Sequence, residues 1–228
     1  MSEKKRVKLH YSGNEIARFI DNSLLRPEAK EADIIMLCKS AIRYKFYSVC
    51  VNPYYVPLCS AILKGHDIKV TTVIGFPFGA SLKEVKVYEA QKALNYGADE
   101  LDIVINIGAA KSGNWDYVEE ELYDIISATK EAVHKVIIET CYLTDKEKKI
   151  ASDIAVRCGA KFIKTSTGFG SKGADIKDVR LIKGYIKDRA EIKASGGIKT
   201  LSSVKRFIEA GATRIGTSAG VEIMKEII

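Results

Sequence analysis

Three times in this chain a helical pattern ends in Gly-Ala and runs at once into a β-rich segment: at Gly97-Ala98, Gly159-Ala160 and Gly211-Ala212. Glycine suits the left-handed conformation that closes a helix, so the same punctuation used three times predicts a repeated strand–helix unit. Candidate strands lie at 19–22, 47–51, 68–74, 100–105, 135–139, 161–165, 191–194 and 213–215. Each is a short β-rich run of the kind that reads as a strand. Amphipathic stretches between them include 28–44, 82–96, 115–133, 145–158, 176–187 and 201–210. Within 115–133, Val118, Leu122, Ile125, Ile126 and Thr129 recur on one helical face. Ser81-Leu82-Lys83-Glu84 and Thr144-Asp145-Lys146-Glu147 each spell a capping box, a hydroxyl at the cap with a Glu three residues on.

Eight such units in 228 residues leave about 28 residues for each, the size expected in a (β/α)8 TIM barrel. The expected architecture is therefore α/β, one domain over residues 1–228, with a short helical segment ahead of the first strand. No Pro/Gly/Ser-rich linker interrupts it. A doubly wound open sheet would announce a Gly-x-Gly-x-x-Gly turn after an early strand, and no early strand has one.

Composition removes several function classes. No apolar run approaches the roughly 20 residues of a membrane span, and the charged start Met1-Ser2-Glu3-Lys4-Lys5-Arg6 is not followed by a leader-like apolar stretch. The expected residence is cytoplasmic, with the five cysteines Cys38, Cys50, Cys59, Cys141 and Cys158 reduced. Cys50 is expected near the barrel mouth as a buried structural thiol. His10, His66 and His134 are scattered without metal-ligand spacing, so neither a metal nor another cofactor is expected. The formal charge of +7 is spread through Asp and Glu with no basic block. That pattern suits a solvated surface that attracts anionic small molecules better than it suits nucleic acid.

Ionisable residues fall where a barrel wall should be apolar. Residues two apart on a strand share a face. In 100–106, Leu101, Ile103 and Ile105 suit the side facing the helices, which turns Asp102, Val104 and Asn106 inward. The same test places Phe162, Lys164 and Lys193 inside, and Ile137, Glu139 and Cys141 on one face of their strand. Asp102, Glu139, Lys164 and Lys193 are then expected to converge from four strands. A structural salt-bridge cluster is the simpler reading, since buried charges must be paired. Three of the four stand at or near C-terminal strand ends, where barrel enzymes keep their chemistry, which favours a functional one. A lysine with an ordinary pKa of about 10.4 is protonated at neutral pH, and a neighbouring ammonium together with desolvation lowers that value. Lys164 and Lys193 on adjacent strands fit such a pair, with Asp102 as a proton carrier; spacing does not decide which lysine is the nucleophile. Three glycine-containing turns, Thr165-Ser166-Thr167-Gly168, Ser195-Gly196-Gly197 and Gly216-Thr217-Ser218, follow the last strands. Each is expected to lead into a helix N-terminus, and together they favour a phosphorylated substrate.

The strings Ile20-Asp21-Asn22-Ser23-Leu24-Leu25-Arg26-Pro27, Val49-Cys50-Val51-Asn52-Pro53, Val73-Ile74-Gly75-Phe76-Pro77-Phe78-Gly79 and Glu100-Leu101-Asp102-Ile103-Val104-Ile105-Asn106 resemble those of the deoxyribose-phosphate aldolases. So do Phe162-Ile163-Lys164-Thr165-Ser166-Thr167-Gly168-Phe169, Ile192-Lys193-Ala194-Ser195-Gly196-Gly197-Ile198 and Arg214-Ile215-Gly216-Thr217-Ser218. The resemblance runs from about Ile20 to Gly220. It implies a cofactor-free class I lyase in which Lys164 forms the Schiff base, Lys193 is its pKa-lowering neighbour and Asp102 shuttles protons. It implies a phosphate site at Gly168, Gly196, Gly197, Gly216 and Ser218. The implied reaction is reversible cleavage of 2-deoxy-D-ribose 5-phosphate to D-glyceraldehyde 3-phosphate and acetaldehyde, in deoxyribose and deoxyribonucleotide catabolism. Its partners are these small molecules and, as in many barrels, further copies of the chain. Asn22 and Ser23 stand where the family commonly has His and Thr, and are expected to alter substrate contacts. Ala219 replaces a Ser of some members, which predicts weaker phosphate binding; the chain ends at Ile228 without their C-terminal Tyr, which predicts slower turnover. Two rivals stand beside this reading: another Schiff-base aldolase or transaldolase acting on a different phosphorylated sugar, and a non-catalytic sugar-phosphate-binding barrel. A metal-dependent aldolase would need the histidine cluster that the sequence lacks.

Overall fold

The computed structural model describes residues 11–227; the segment 1–6 read above for a leader, His10 and Ile228 lie outside the described residues. Each Gly-Ala pair closes its helix in the same way. Gly97, Gly159 and Gly211 have φ of 98°, 98° and 112°. The N–H of the following alanine bonds five residues back, Ala98 to Ala93, Ala160 to Ala155 and Ala212 to Phe207, at 2.9–3.0 Å. That 6→1 bond satisfies a helix-end carbonyl and turns the chain directly into a strand. Lys45, φ 57°, performs the same closure for the helix ahead of Phe46.

The strands so delivered are β1 (Ile20–Leu24), β2 (Ser48–Val51), β3 (Lys69–Ile74), β4 (Glu100–Val104), β5 (Val133–Ile137), β6 (Phe162–Lys164), β7 (Glu191–Ser195) and β8 (Arg214–Thr217). All neighbours pair in parallel, and β8 returns to β1, so the sheet closes as a (β/α)8 barrel. Helix α1 (Gly13–Arg18) precedes the barrel, and α2 (Glu31–Tyr44), α3 (Val56–Leu63), α4 (Lys83–Asn95), α5 (Ile107–Lys111), α6 (Trp115–Ser127), α7 (Asp145–Arg157), α8 (Ile176–Ile186), α9 (Leu201–Glu209) and α10 (Gly220–Lys225) surround it. Leu101, Ile103, Val136, Ile163 and Ile192 point outward and are wholly buried against the helix ring. Each such side chain contributes about 1.5–3 kcal/mol by leaving water.

Several boundaries differ from the sequence expectation, among them β5, expected at 135–139 and found at Val133–Ile137. The helical pattern at 115–133 stops at Ser127, because Val133 already belongs to β5. Thr144 does form its capping box with Glu147, whereas α4 begins one residue later than expected with Leu82 as its cap. Ion pairs to α6 seat α4 instead: Lys83 to Glu120 at 2.6 Å and to Asp124 at 2.8 Å, and the buried Lys86 to Glu121 at 2.8 Å.

His134 on β5 is 4% exposed and its Nε2 lies 2.9 Å from Thr129 Oγ1. The Thr129 hydroxyl already donates to Ile125 O at 2.7 Å, so Nε2–H is the donor to it. Burial pulls this imidazole from 6.5 down to about 4, against the raising effect of a hydrogen bond it donates to the Thr129 backbone and with Lys135 adding to the fall. The folded ring stays neutral where the unfolded ring is protonated, so this stability is present above pH 6.5 and lost as pH falls toward 4. The unfolding free energy is expected to drop by about 1.4 kcal/mol per pH unit below 6.5. Urea titrations at pH 7, 6 and 5 should show that slope in the native chain and a flatter one in His134→Gln.

Candidate active site

The alternation that buries Leu101 and Ile103 outward sends the intervening side chains into the barrel, where they meet across neighbouring strands. Lys164 stands opposite Lys193 in the β6–β7 register, Asp102 opposite Lys135 between β4 and β5, and Lys193 opposite Arg214 between β7 and β8. Asp102 is wholly buried, and its Oδ2 accepts from both Lys164 Nζ and Lys193 Nζ at 2.7 Å each. The two amines therefore lie no farther apart than twice that length. Its Oδ1 accepts from Lys135 Nζ at 2.9 Å.

Beneath this layer, Lys193 also reaches Asp21 Oδ2 at 2.5 Å, and Lys135 reaches Glu100 Oε2 at 2.6 Å. Arg214 joins the two, at 2.9 Å from Asp21 Oδ1 and 3.2 Å from Glu100 Oε2, with its guanidinium 3.4 Å above the Tyr47 ring. Four cationic side chains thus share three carboxylates, and Lys164 has the fewest carboxylate contacts, Asp102 alone. Burial works against the charged form of Lys193, but Asp102 and Asp21 outweigh it and hold this ammonium above the ordinary lysine range. Burial likewise opposes ionisation of Asp102 and Asp21, and the surrounding cations override it, so both carboxyls sit well below their usual range.

The layer opens upward into a cavity of roughly 340 Å³ whose walls include Lys164, Lys193, Gly168, Gly196, Gly197, Gly216 and Ser218. Gly168 and Gly196 each have φ of 90° and Gly197 has φ of 77°. A side chain at Gly216 would meet Ser195 Cβ at 2.9 Å and Lys193 Cε at 3.1 Å. Gly216→Ala is therefore expected to displace Lys193 and lower kcat/KM about tenfold or more, measured by initial rates on the phosphorylated sugar that the sequence resemblance implies, with little change in far-ultraviolet circular dichroism.

Some expected site features lie elsewhere. Glu139 does not enter the charge cluster. It follows β5 with φ 49°, in the left-handed region, and its carboxylate turns to Thr167. Asn106 caps α5, accepting from Ala109 N at 3.0 Å, instead of pointing inward. Asn22 turns outward, its amide 3.4 Å from Ser40 Oγ and its oxygen 2.6 Å from where a Cβ of Gly220 would stand, so it lies among the helices and off the cavity wall. Ser23 does line the cavity and Ala219 does not. Only the β8 turn runs straight into a helix; α8 and α9 start at Ile176 and Leu201, well past Gly168 and Gly197. Cys50 lines the cavity with its Sγ 3.9 Å from Asp102 Oδ2, and burial and that carboxylate push the thiol up to about 11. Lys135, Glu100, Asp21 and Arg214 escaped the sequence reading. The signal for Lys135 and Glu100 was present, since each lies two residues before an inward position of the same strand. Gly168-Phe169-Gly170-Ser171-Lys172-Gly173 spells a Gly-x-Gly-x-x-Gly string after β6, where the backbones of Gly168, Gly173 and Gly196 crowd together.

A family model described as DeoC/LacD family aldolase matches residues 18–226. The chain belongs to this aldolase family. The aldolase is 52% identical over 221 residues to the deoxyribose-phosphate aldolase of Carboxydothermus hydrogenoformans, covering 95% of this chain and 97% of that protein. Among solved structures, the aldolase QR15 superposes with a TM-score of 0.89 at 48% identity, covering 92% of this chain and 95% of the other. A deoxyribose phosphate aldolase from Aeropyrum pernix, described as a unique tetrameric structure, gives 0.89 at 36% identity over 94% of this chain and 92% of its own. Among the described residues, no group of three His, Cys, Asp or Glu is placed to hold a metal ion, and no helix is long and apolar enough to cross a membrane.

Proposed function

We propose that this aldolase cleaves 2-deoxy-D-ribose 5-phosphate reversibly to D-glyceraldehyde 3-phosphate and acetaldehyde through a Schiff base on Lys164. The observation that carries the reading is the pair of amines on one buried carboxylate oxygen, Lys164 and Lys193 on Asp102, at the floor of a cavity walled by glycine turns. Relatives bearing the name deoxyribose-phosphate aldolase at about half identity support the substrate.

Four buried cations against three carboxylates leave one charge uncompensated, and a buried unpaired charge costs several kcal/mol. The reaction needs one free amine, and Lys164, with a single carboxylate contact on the cavity wall, is the cluster member placed to supply it. Arg214 does not deprotonate, and Lys135 and Lys193 each hold two or more carboxylates. The Lys164 amine adds to C1 of the open-chain sugar, and loss of water gives an iminium. The electrons of the C2–C3 bond flow into that iminium while the C3 hydroxyl gives its proton, through water, to Asp102 and C3 becomes the aldehyde of glyceraldehyde 3-phosphate. Asp102, through water, moves the proton that the enamine takes at C2, and hydrolysis releases acetaldehyde and the amine. Lys193 stays an ammonium throughout and returns Asp102 to its ionised form after each transfer. The backbone N–H groups of the turns at Gly168, Gly196, Gly197, Gly216 and Ser218 receive the phosphate, which glycine lets approach closely.

Residues 11–227 form the barrel and one preceding helix, and we read the chain as one functional unit. It assembles with copies of itself, as the Aeropyrum pernix relative does. It works in the cytoplasm, where its five free thiols suit a reducing compartment, and there serves the breakdown of deoxyribose derived from deoxynucleotides. The test is a coupled assay of glyceraldehyde 3-phosphate formation on 2-deoxyribose 5-phosphate, with and without EDTA. The reading expects equal turnover in both, whereas cleavage of a different phosphorylated sugar alone, or binding without product, contradicts it.

A further inference from the structure

Glu139 is a buried carboxylate that the charge cluster does not use. It is 1% exposed and adopts φ 49°, ψ 70°, a left-handed conformation that a residue with a Cβ occupies only where its surroundings require it. Its surroundings are the β6–α8 loop. Glu139 Oε2 accepts from the backbone N–H of Thr167 at 3.1 Å and from the Thr167 hydroxyl. The Thr167 oxygen in turn accepts from Phe169 N at 3.0 Å, so the hydroxyl both donates and accepts and its direction is fixed. Gly168, φ 90°, is the residue between these two anchor points. The other carboxylate oxygen, Oε1, receives Cys141 Sγ at 3.8 Å.

From the far side the same loop closes over Glu139 at Gly170. A Cβ there would stand 2.8 Å from Cys141 Sγ and 3.1 Å from the Glu139 carboxyl carbon. The backbone of the next residue ties the two strand ends together, Thr140 N donating to Thr165 O at 2.9 Å. One side chain from the end of β5 thus sets the shape of the Thr167-Gly168-Phe169 turn on the cavity wall. Among the described residues it makes no hydrogen bond or ion pair with Lys164, Lys193 or Asp102.

We propose that Glu139 is a positioning residue for the anionic end of the substrate: it holds the Thr167-Gly168-Phe169 turn in its receptive shape and plays no part at the reacting carbon. The inference rests on the reading of that turn as part of the phosphate site. Glu139→Ala removes the acceptor of two hydrogen bonds, and Gly170→Ala pushes on the same carboxylate while leaving it in place. Both are compared with the native enzyme on 2-deoxyribose 5-phosphate, on unphosphorylated 2-deoxyribose, and in reductive trapping with acetaldehyde, which carries no anion.

For both variants KM for the phosphorylated sugar is expected to rise about tenfold or more, the size of one lost charge-assisted hydrogen bond. The kcat on that sugar, the kinetics on 2-deoxyribose and the rate of trapping stay within about threefold, a margin well under that tenfold step. Equal loss on both sugars, slowed trapping, or unchanged KM in both variants overturns the proposal. Should Glu139→Ala fail to fold, Gly170→Ala decides alone. A native enzyme that shows no preference for the phosphorylated sugar sinks the phosphate reading itself, a result distinct from any behaviour of the variants.

Discussion

Lys164→Ala is expected to lower kcat on 2-deoxyribose 5-phosphate by about 10⁴-fold or more, while its thermal unfolding midpoint stays within about 5 °C of the native value. The first half follows from the loss of the covalent electron sink, for which no neighbouring group substitutes: Lys193 and Lys135 point into the same layer, but each is held as the partner of two or more carboxylates. The second half follows from the charge count. Lys164 is 3% exposed and is the cluster member with a single carboxylate contact, so its removal leaves Asp102 still bonded to Lys135 and Lys193. Loss of activity accompanied by loss of the fold would show instead that Lys164 is a structural strut. Steady-state rates with calorimetric melts on the same preparation separate the two.

Asp102→Asn should do the opposite to stability. This carboxylate receives three lysine Nζ groups at 2.7–2.9 Å in a site with no exposure. Neutralising it leaves the remaining carboxylates, Asp21 and Glu100, to serve every cation of the cluster. Breaking a buried pair from one side costs about 3–5 kcal/mol. Activity should fall about 10²–10⁴-fold as the proton carrier is lost. The double variant Asp102→Asn/Lys135→Met restores the balance of charge, because two carboxylates then face Lys193 and Arg214 with Lys164 uncharged. Urea unfolding should show recovery of most of the lost stability, with no recovery of turnover. Recovery of both would mean that Asp102 acts only as a counter-charge.

The charge cluster was half legible in the sequence, and the division has a physical basis. Asp102, Lys164 and Lys193 stood out because each alternates with Leu or Ile on a short strand, so one period-two test assigns their faces. Glu139 was misplaced by the same test. The alternation assumes that the strand continues past Ile137, and the left-handed turn at Glu139, imposed by the loop it holds, has no glycine or asparagine to announce it. Arg214 and Asp21 meet from strands 193 positions apart, a contact set by barrel closure that local pattern does not encode. The helix ends were legible where Gly-Ala closes them, and α3, α5 and α10 were not, being short segments seated by tertiary contacts.

Reductive trapping tests the central claim most directly. Native enzyme is incubated with acetaldehyde and borohydride, digested, and its lysines are mapped by mass. The account predicts one ethyl group per chain, on the peptide containing Lys164, with loss of activity in proportion to its incorporation. An absent adduct, or an adduct carried by Lys193 or Lys135 with Lys164 unmodified, contradicts it.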